Sequence, residues 1–215
     1  MYLRVEDIRE EFKRLYRNKV YNNRGMLELQ GISFIADESA IFGIPNQEYI
    51  DMEITWYESQ SLNVYDLKKP PKIWMQVADN YGTINSNYGY LTMSEENGQQ
   101  FQNVVRTLRK RPDSKQATMI YTRPSMHKDA YVGGMKDFVC TNTVNYNQDL
   151  QYPEYINAIV QMRSNDAVYG YKNDIAWQKY MLAKVCKELD KLPGTIYWQV
   201  ASLHIYPRHF GLIEI

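Results

Sequence analysis

A single domain of the α/β or α+β class, built on one mixed β-sheet, is what the sequence predicts, and three observations predict it. Runs of strand length rich in β-branched and aromatic residues occur at 27–36, 117–121, 138–146, 155–162 and 195–206. Stretches with apolar residues at helical spacing separate some of these runs and are missing between others, so strands are joined by helices in places and by loops elsewhere. A chain of 215 residues, 44% hydrophobic and 23% charged, can bury one sizeable core and has an ordinary globular composition. One domain over 1–215 is therefore expected.

Residues 5–18 place Val5, Ile8, Phe12 and Leu15 at helical spacing among charges, which predicts an amphipathic helix with a solvated outer face. A strand over 27–36 and a helix over 47–58 follow, before a polar loop that the Pro70-Pro71 step ends. Another helix is expected over 95–109, with Phe101, Val104, Val105 and Leu108 on one side. Three strands come next, over 117–121, 138–146 and 155–162. Asn173 is then a cap for a helix whose Trp177, Met181, Leu182, Val185, Cys186 and Leu189 form one apolar stripe, with Pro193-Gly194 as its stop. That stripe makes Cys186 a core residue. The last strand, 195–206, ends at Pro207. No repeat period or low-complexity tract is present.

Composition excludes several functions. Twenty-five basic and 25 acidic residues cancel, so no global charge recruits nucleic acid or an acidic membrane, and any phosphate site must be local. Two cysteines, Cys140 and Cys186, make no disulfide framework and fit a reducing, cytoplasmic compartment. No apolar run approaches the ~20 residues of a membrane-spanning helix, and the N-terminus lacks a signal-peptide core. Nineteen Tyr against 6 Phe implies many rings that pack on one side and hydrogen-bond on the other.

A lone cysteine in a strand is usually structural. Around Cys140, however, strand alternation sends Cys140 and Asn142 to one face and makes that face polar. After the next strand, Arg163, Ser164 and Asp166 combine a cation, a hydroxyl and a carboxylate, which suits an oxyanion such as phosphate or else a surface ion pair. Ser202, His204 and Tyr206 share one face of the last strand, where a structural histidine is the plain alternative.

In order and spacing these residues resemble the thymidylate synthase superfamily across nearly the whole chain. That family carries a Cys, then Arg-Ser-x-Asp, then an Asn-containing helix start, then a strand ending His-x-Tyr. Here the elements are Cys140, Arg163-Ser164-Asn165-Asp166, Asn173-Asp174-Ile175-Ala176 and His204-Ile205-Tyr206. The likeness is strongest to the phage branch that hydroxymethylates deoxycytidylate, through residues 84–89, 119–126, 137–144, 162–166 and 176–180.

The resemblance implies the thymidylate synthase fold, with flanking helices on a large mixed sheet, and a homodimer formed through that sheet. It also implies dCMP as substrate, 5,10-methylenetetrahydrofolate as co-substrate and no metal. Cys140 would add to carbon 6 of the base, which makes carbon 5 nucleophilic. Arg163 and Ser164 would hold the phosphate, and the Arg163 charge would favour the Cys140 thiolate. The family's partner subunit supplies an Arg-Arg pair to the same phosphate. Lys115-Gln116 stands at that place here, Arg123 could compensate, and Arg24 is the nearest equivalent of a basic ligand on a mobile loop.

Asp174 stands where thymidylate synthases use Asn to read uracil. A protonated Asp reverses the hydrogen-bond polarity, as cytosine requires, with a helix-cap role as the plain alternative. Glu53 would order the attacking water, Tyr88 would lie beside the thiol, and His204 and Tyr206 would hold the sugar hydroxyl. Asp166 and Trp74 would meet the folate. The family continues past the position of Ile215 into a segment that closes over folate, so a naturally short chain would bind folate more weakly or leave the intermediate more open to water. A methyl-forming synthase, a CMP hydroxymethylase and a nucleotide-binding homologue without turnover remain alternatives.

Overall fold

In the computed structural model, which describes residues 2–213, the chain opens with strand β1 (Leu3–Arg4) and passes directly into helix α1 (Val5–Arg17). The C-terminal end at which the family segment would begin, Glu214 and Ile215, lies outside the described residues, as does Met1. Val5, Ile8, Phe12 and Leu15 are buried along one side of α1, while Glu6 and Asp7 start the helix and Arg14 and Arg17 end it, matching its dipole. Strand β2 (Leu27–Ile35) is followed by α2 (Gln47–Ser59), capped by Asn46, whose side chain accepts the Tyr49 N–H. Then come α3 (Lys72–Val77), α4 (Tyr88–Met93), α5 (Gln100–Lys110), β3 (Thr118–Ile120) and α6 (Met126–Asp129). The C-terminal half supplies β4 (Thr141–Gln148), β5 (Tyr155–Met162), β6 (Asn165–Asp166), α7 (Gly170–Leu189) and β7 (Leu192–Ile205).

The strands form one mixed sheet in the order β1-β2-β7-β5-β4-β3, with β6 also on β7. β5 and β7 run parallel, which requires a crossover, and α7 provides it. Register explains the two faces. Phe34, Trp198, Val160, Val144 and Met119 lie side by side across five strands and are all buried. One residue along, Ser33, Gln199, Gln161, Thr143 and Ile120 form the matching row on the other face, where Thr143 donates to Gln161 at 2.7 Å and Gln161 to Gln199 at 3.1 Å. That polar face carries no helix among those described, whereas α1, α5 and α7 all contact the sheet's strands. No helix of the described residues is long and apolar enough to cross a membrane.

Four expectations need correction. The helix expected from residue 95 starts at Gln100, because Ser94 Oγ accepts the Asn97 N–H and Gly98 at φ 80° turns the chain first. The strand expected over 138–146 starts only at Thr141, with a register shift between Thr141 and Thr143. Cys140 therefore precedes the strand, and two-residue alternation does not place it. Asn173 caps nothing: α7 begins at Gly170, after Asp166 Oδ1 accepts the N–H groups of Val168 and Tyr169 and turns the chain into the helix early. Asp190 in the left-handed conformation ends α7, while Pro193 and Gly194 belong to β7, beside an irregularity in its pairing with β5. The short β1, α3, α4 and α6 carry no clear periodicity and were not foreseen.

Helix α4 lies against the backbone of α2 so closely that a Cβ at Gly89 would overlap the carbonyl group of Tyr57. Gly89→Ala is expected to destabilise the protein by about 3 kcal/mol, lowering Tm by roughly 6–12 °C for a chain of this length. A melt followed by circular dichroism checks this, and an unchanged midpoint would contradict so close an approach.

Candidate active site

The site forms where β4 has not yet begun. Arg163 donates from Nε to the carbonyl of Val139 at 2.9 Å and from Nη2 to that of Phe138, and its guanidinium lies over the Phe138 ring. Its own N–H donates to the Cys140 carbonyl at 2.9 Å. These bonds satisfy backbone groups that a neighbouring strand would otherwise take, so the chain leaves the ladder at Cys140. Arg163 Nη2 also stands 3.6 Å from Cys140 Sγ. The guanidinium lowers the thiol pKa as expected, but burial outweighs it, helped by the carboxylates of Asp174 and Asp137, and pushes the thiol up to about 11. Without substrate, Cys140 is held as a thiol.

Two carboxyl groups share this interior. Asp174, in the second turn of α7, accepts from the Tyr88 hydroxyl through Oδ1 at 3.2 Å and from Asn165 Nδ2 through Oδ2 at 2.7 Å. Thr141 in turn donates to the Tyr88 oxygen at 3.1 Å. Burial and the nearby Glu53 charge raise the Asp174 carboxyl to about 7. Glu53, on α2, accepts from the Tyr49 hydroxyl and from the Trp74 indole N–H at 3.2 Å, and burial raises it to about 7 as well. Both acids are thus poised to exchange protons near neutrality. Around them Tyr57 stacks on Tyr88, Tyr121 meets Tyr88 edge-on and Trp177 meets Tyr57 edge-on, a packed aromatic wall that holds the hydroxyls in place.

Asp137 fastens the segment before Cys140 to the start of α4. Its buried carboxylate accepts the N–H groups of Asn85 and Ser86 at 2.8 and 2.7 Å and the Ser86 hydroxyl at 2.7 Å. Tyr88 and Cys140 are positioned from this one anchor.

The remaining expected residues are distributed unevenly. His204 is buried at the end of β7, edge-on to Tyr206, and Arg208 covers the Tyr206 ring. Ser202 is occupied, donating to Glu28 at 2.6 Å. Asn22 donates to the same Glu28 and accepts the N–H groups of Arg24 and Met26, which fixes the loop that carries exposed Arg24, and the next residue, Gly25, lies against Pro207. Ser164 sits with Arg163 in the break between β5 and β6. Asp166 turns the chain into α7, and Lys172 on that helix donates to the Ile44 carbonyl at 3.3 Å. Arg123 donates to Asn97 at 3.3 Å. Lys115 is not brought to the site: it precedes β3 and lines a cavity with Asn147, Gln148 and Leu150, at the end of β4 remote from Cys140. Among the described residues no group of three or more His, Cys, Asp or Glu is arranged to hold a metal.

Asn165, Tyr49, Thr141 and Asp137 belong to the site and carried no assignment in the sequence. Asn165 was the variable position of Arg-Ser-x-Asp, and only its contact with Asp174 reveals its importance.

The sequence profile described as Thymidylate synthase matches residues 46–215. Proteins named Deoxycytidylate 5-hydroxymethyltransferase from Enterobacteria phages T4 and T2 are each 47% identical over 98% of this chain and 89% of their own length. A protein named Thymidylate synthase from Fusobacterium nucleatum is 27% identical over 66% of this chain and 50% of its own.

Cys140 should alkylate with a pH profile centred near 11, so that at pH 8 iodoacetamide modifies it on the order of a hundredfold more slowly than a free cysteine of pKa ~8.5. Arg163→Ala should move that profile higher still. Peptide mapping distinguishes Cys140 from buried Cys186, and a midpoint at or below that of free cysteine contradicts the assignment.

Proposed function

Since the chain belongs to the thymidylate synthase family, we propose that it transfers a one-carbon unit from 5,10-methylenetetrahydrofolate to carbon 5 of dCMP and adds water, giving 5-hydroxymethyl-dCMP and tetrahydrofolate. The observation that carries this reading is Asp174, a buried carboxyl bonded by Tyr88 and Asn165 and raised by burial to about 7, at the position that aligns with the family's base-reading residue. In its acid form it donates to ring nitrogen 3 of cytosine and accepts from the exocyclic amine. Its proton also stabilises the charge that builds on the ring when Cys140 adds to carbon 6. Kinship over nearly the full length with phage proteins named for that activity supports the same reading.

Arg163 and Ser164 stand together outside the strand ladder, free of β-pairing, and would hold the nucleotide phosphate. Tyr88, bonded to Asp174 and Thr141, would keep the base against Cys140. His204 and Tyr206 are candidates for the sugar hydroxyl. Glu53 in its ionised form takes a proton from the attacking water, with Tyr49 and Trp74 orienting its Oε1.

The folate supplies the one-carbon unit at the oxidation level of formaldehyde. The residues present suit it: half-buried Trp74 borders Glu53 and offers an aromatic face to a flat ring. Asp166 engages backbone N–H groups through Oδ1 alone, which leaves Oδ2 for an amino group.

A homodimer accounts for two further features. The helix-free polar face of the sheet is self-complementary in Ser, Thr and Gln, and Lys115, remote from its own Cys140, would reach the phosphate of a partner. Free Cys140 and Cys186 suit a reducing cytoplasm.

Mass analysis after incubation with dCMP, CMP or dUMP plus methylenetetrahydrofolate should find hydroxymethyl-dCMP and tetrahydrofolate. A methyl product with dihydrofolate, preference for CMP, or no turnover of any nucleotide would refute the assignment. Asp174→Asn should transfer preference to dUMP, and Cys140→Ser should abolish turnover while sparing nucleotide binding.

Activity should also peak near pH 7. Asp174 must carry its proton, so kcat/KM falls as pH rises above about 7. Glu53 must have lost its proton, so the rate falls as pH drops below about 7. A rate flat from pH 5 to 9 would remove both roles.

A further inference from the structure

Along β7 the row that is core at Trp198 and Val200 continues by strand alternation to Ser202 and His204, so the inward face of the strand turns polar at the end nearest Tyr206. Glu28 on β2 lies directly opposite His204 and therefore on this same face. Half-buried there, it accepts from Ser202 Oγ through Oε1 at 2.6 Å and from Asn22 Nδ2 through Oε2 at 2.8 Å. Its hydrogen-bond donors among the described residues are neutral groups, and the Asn22 and Ser202 bonds hold its carboxyl below the ordinary value in spite of burial. At neutral pH it is a carboxylate with both oxygens committed.

Asn22 passes this hold to the turn that carries Arg24. While Nδ2 donates to Glu28, Oδ1 accepts the N–H groups of Arg24 at 2.9 Å and Met26 at 3.1 Å, and the Asn22 N–H donates to the Met26 carbonyl at 2.9 Å. The amide is planar, so fixing its nitrogen also fixes the oxygen on which the turn is built. A Cβ on Gly25 would stand 3.8 Å from Pro207 Cγ, which sets the turn beside the residue that follows Tyr206. Arg24 itself is exposed and forms no ion pair among the described residues.

We propose that Glu28 is a positioning residue for nucleotide binding: through Asn22 it holds the 22–26 turn, and through Ser202 it ties that turn to β7, so that the Arg24 cation meets the phosphate of a nucleotide whose sugar lies at the end of β7. The inference rests on the reading of dCMP as substrate, with Arg24 at its phosphate and His204 and Tyr206 at its sugar. One carboxylate then sets the spacing between the phosphate end and the sugar end, which the loop backbone alone would leave free to hinge at the start of β2.

Calorimetry with dCMP, and competition by deoxycytidine, which lacks the phosphate, test this on the full chain. Glu28→Ala and Asn22→Ala should each weaken dCMP by about tenfold and deoxycytidine by no more than about twofold. Arg24→Ala should weaken dCMP about as much, and adding Glu28→Ala to it should cost no more than about a further twofold, because the two act in series. Glu28→Gln keeps an acceptor for Asn22 and a donor for Ser202, and should restore most of the loss. Equal losses for the two ligands, or additive losses in the double variant, would make Glu28 a general support of the fold and overturn the proposal.

Should the Glu28 variants not fold, hydrogen exchange on the unaltered protein decides. The amides of Arg24 and Met26 should exchange at least about tenfold more slowly than in an unstructured chain, and unprotected amides would overturn the proposal. Arg24→Ala is the control for the underlying reading: unchanged dCMP affinity there removes Arg24 from the phosphate and this inference with it. A loss in Arg24→Ala with none in Glu28→Ala refutes this inference alone.

Discussion

Arg163 donates to the carbonyls of Phe138 and Val139 through its side chain and to that of Cys140 through its backbone, and the site depends on these bonds. Backbone carbonyls in this segment would otherwise seek a strand, and a strand running through Cys140 would bury its thiol in a regular ladder. Satisfied by a side chain, the segment ends its pairing early and leaves Cys140 just before β4, beside the end of β5. The same guanidinium is the nearest cation to Cys140 Sγ. Were it to hold a phosphate, it would have to give up at least part of its backbone contacts, and nucleotide binding and the local fold would then draw on the same donors.

The electrostatic character of the interior around Glu53 and Asp174 follows from the side chains that enclose it. Tyr49, Tyr57, Tyr88 and Tyr121 exclude water as phenylalanine would, yet each adds a hydroxyl, and three of these lie in chains that end on Glu53, Asp174 or Trp177. This accounts for part of the excess of Tyr over Phe in the composition. Low polarity raises both carboxyls toward neutrality, while the hydroxyls and amides keep them oriented. Apolar burial alone would give neutral acids without direction.

Much of this was legible before the structure. Apolar spacing located α1 and the buried face of α7, because a face either meets the core or does not, and runs of β-branched and aromatic residues located β5 and most of β7. Short elements escaped: α3 and α4 have too few turns to show a period, and they exist through tertiary contacts such as Gly89 against Tyr57. Boundaries failed where a side chain replaced a backbone partner, as at Asp166 before α7 and at Arg163 before β4. In the site, resemblance brought Cys140, Asp174, Glu53 and Arg163 forward. Asn165 and Asp137 stayed hidden because their importance lies in pairings across 9 and 52 positions, which no local pattern records.

β5 stops at Met162 and β6 resumes at Asn165, both parallel to the same strand β7, so only Arg163 and Ser164 are excused from the ladder. The flanking residues stay clamped in register, with Asp166 opposite His204. Such a seam behaves as an exchangeable cassette. Two adjacent side chains can be rewritten while Asn165 and Asp166 beyond them keep their alignment on β7, so the scaffold accepts new chemistry at this point without losing its register.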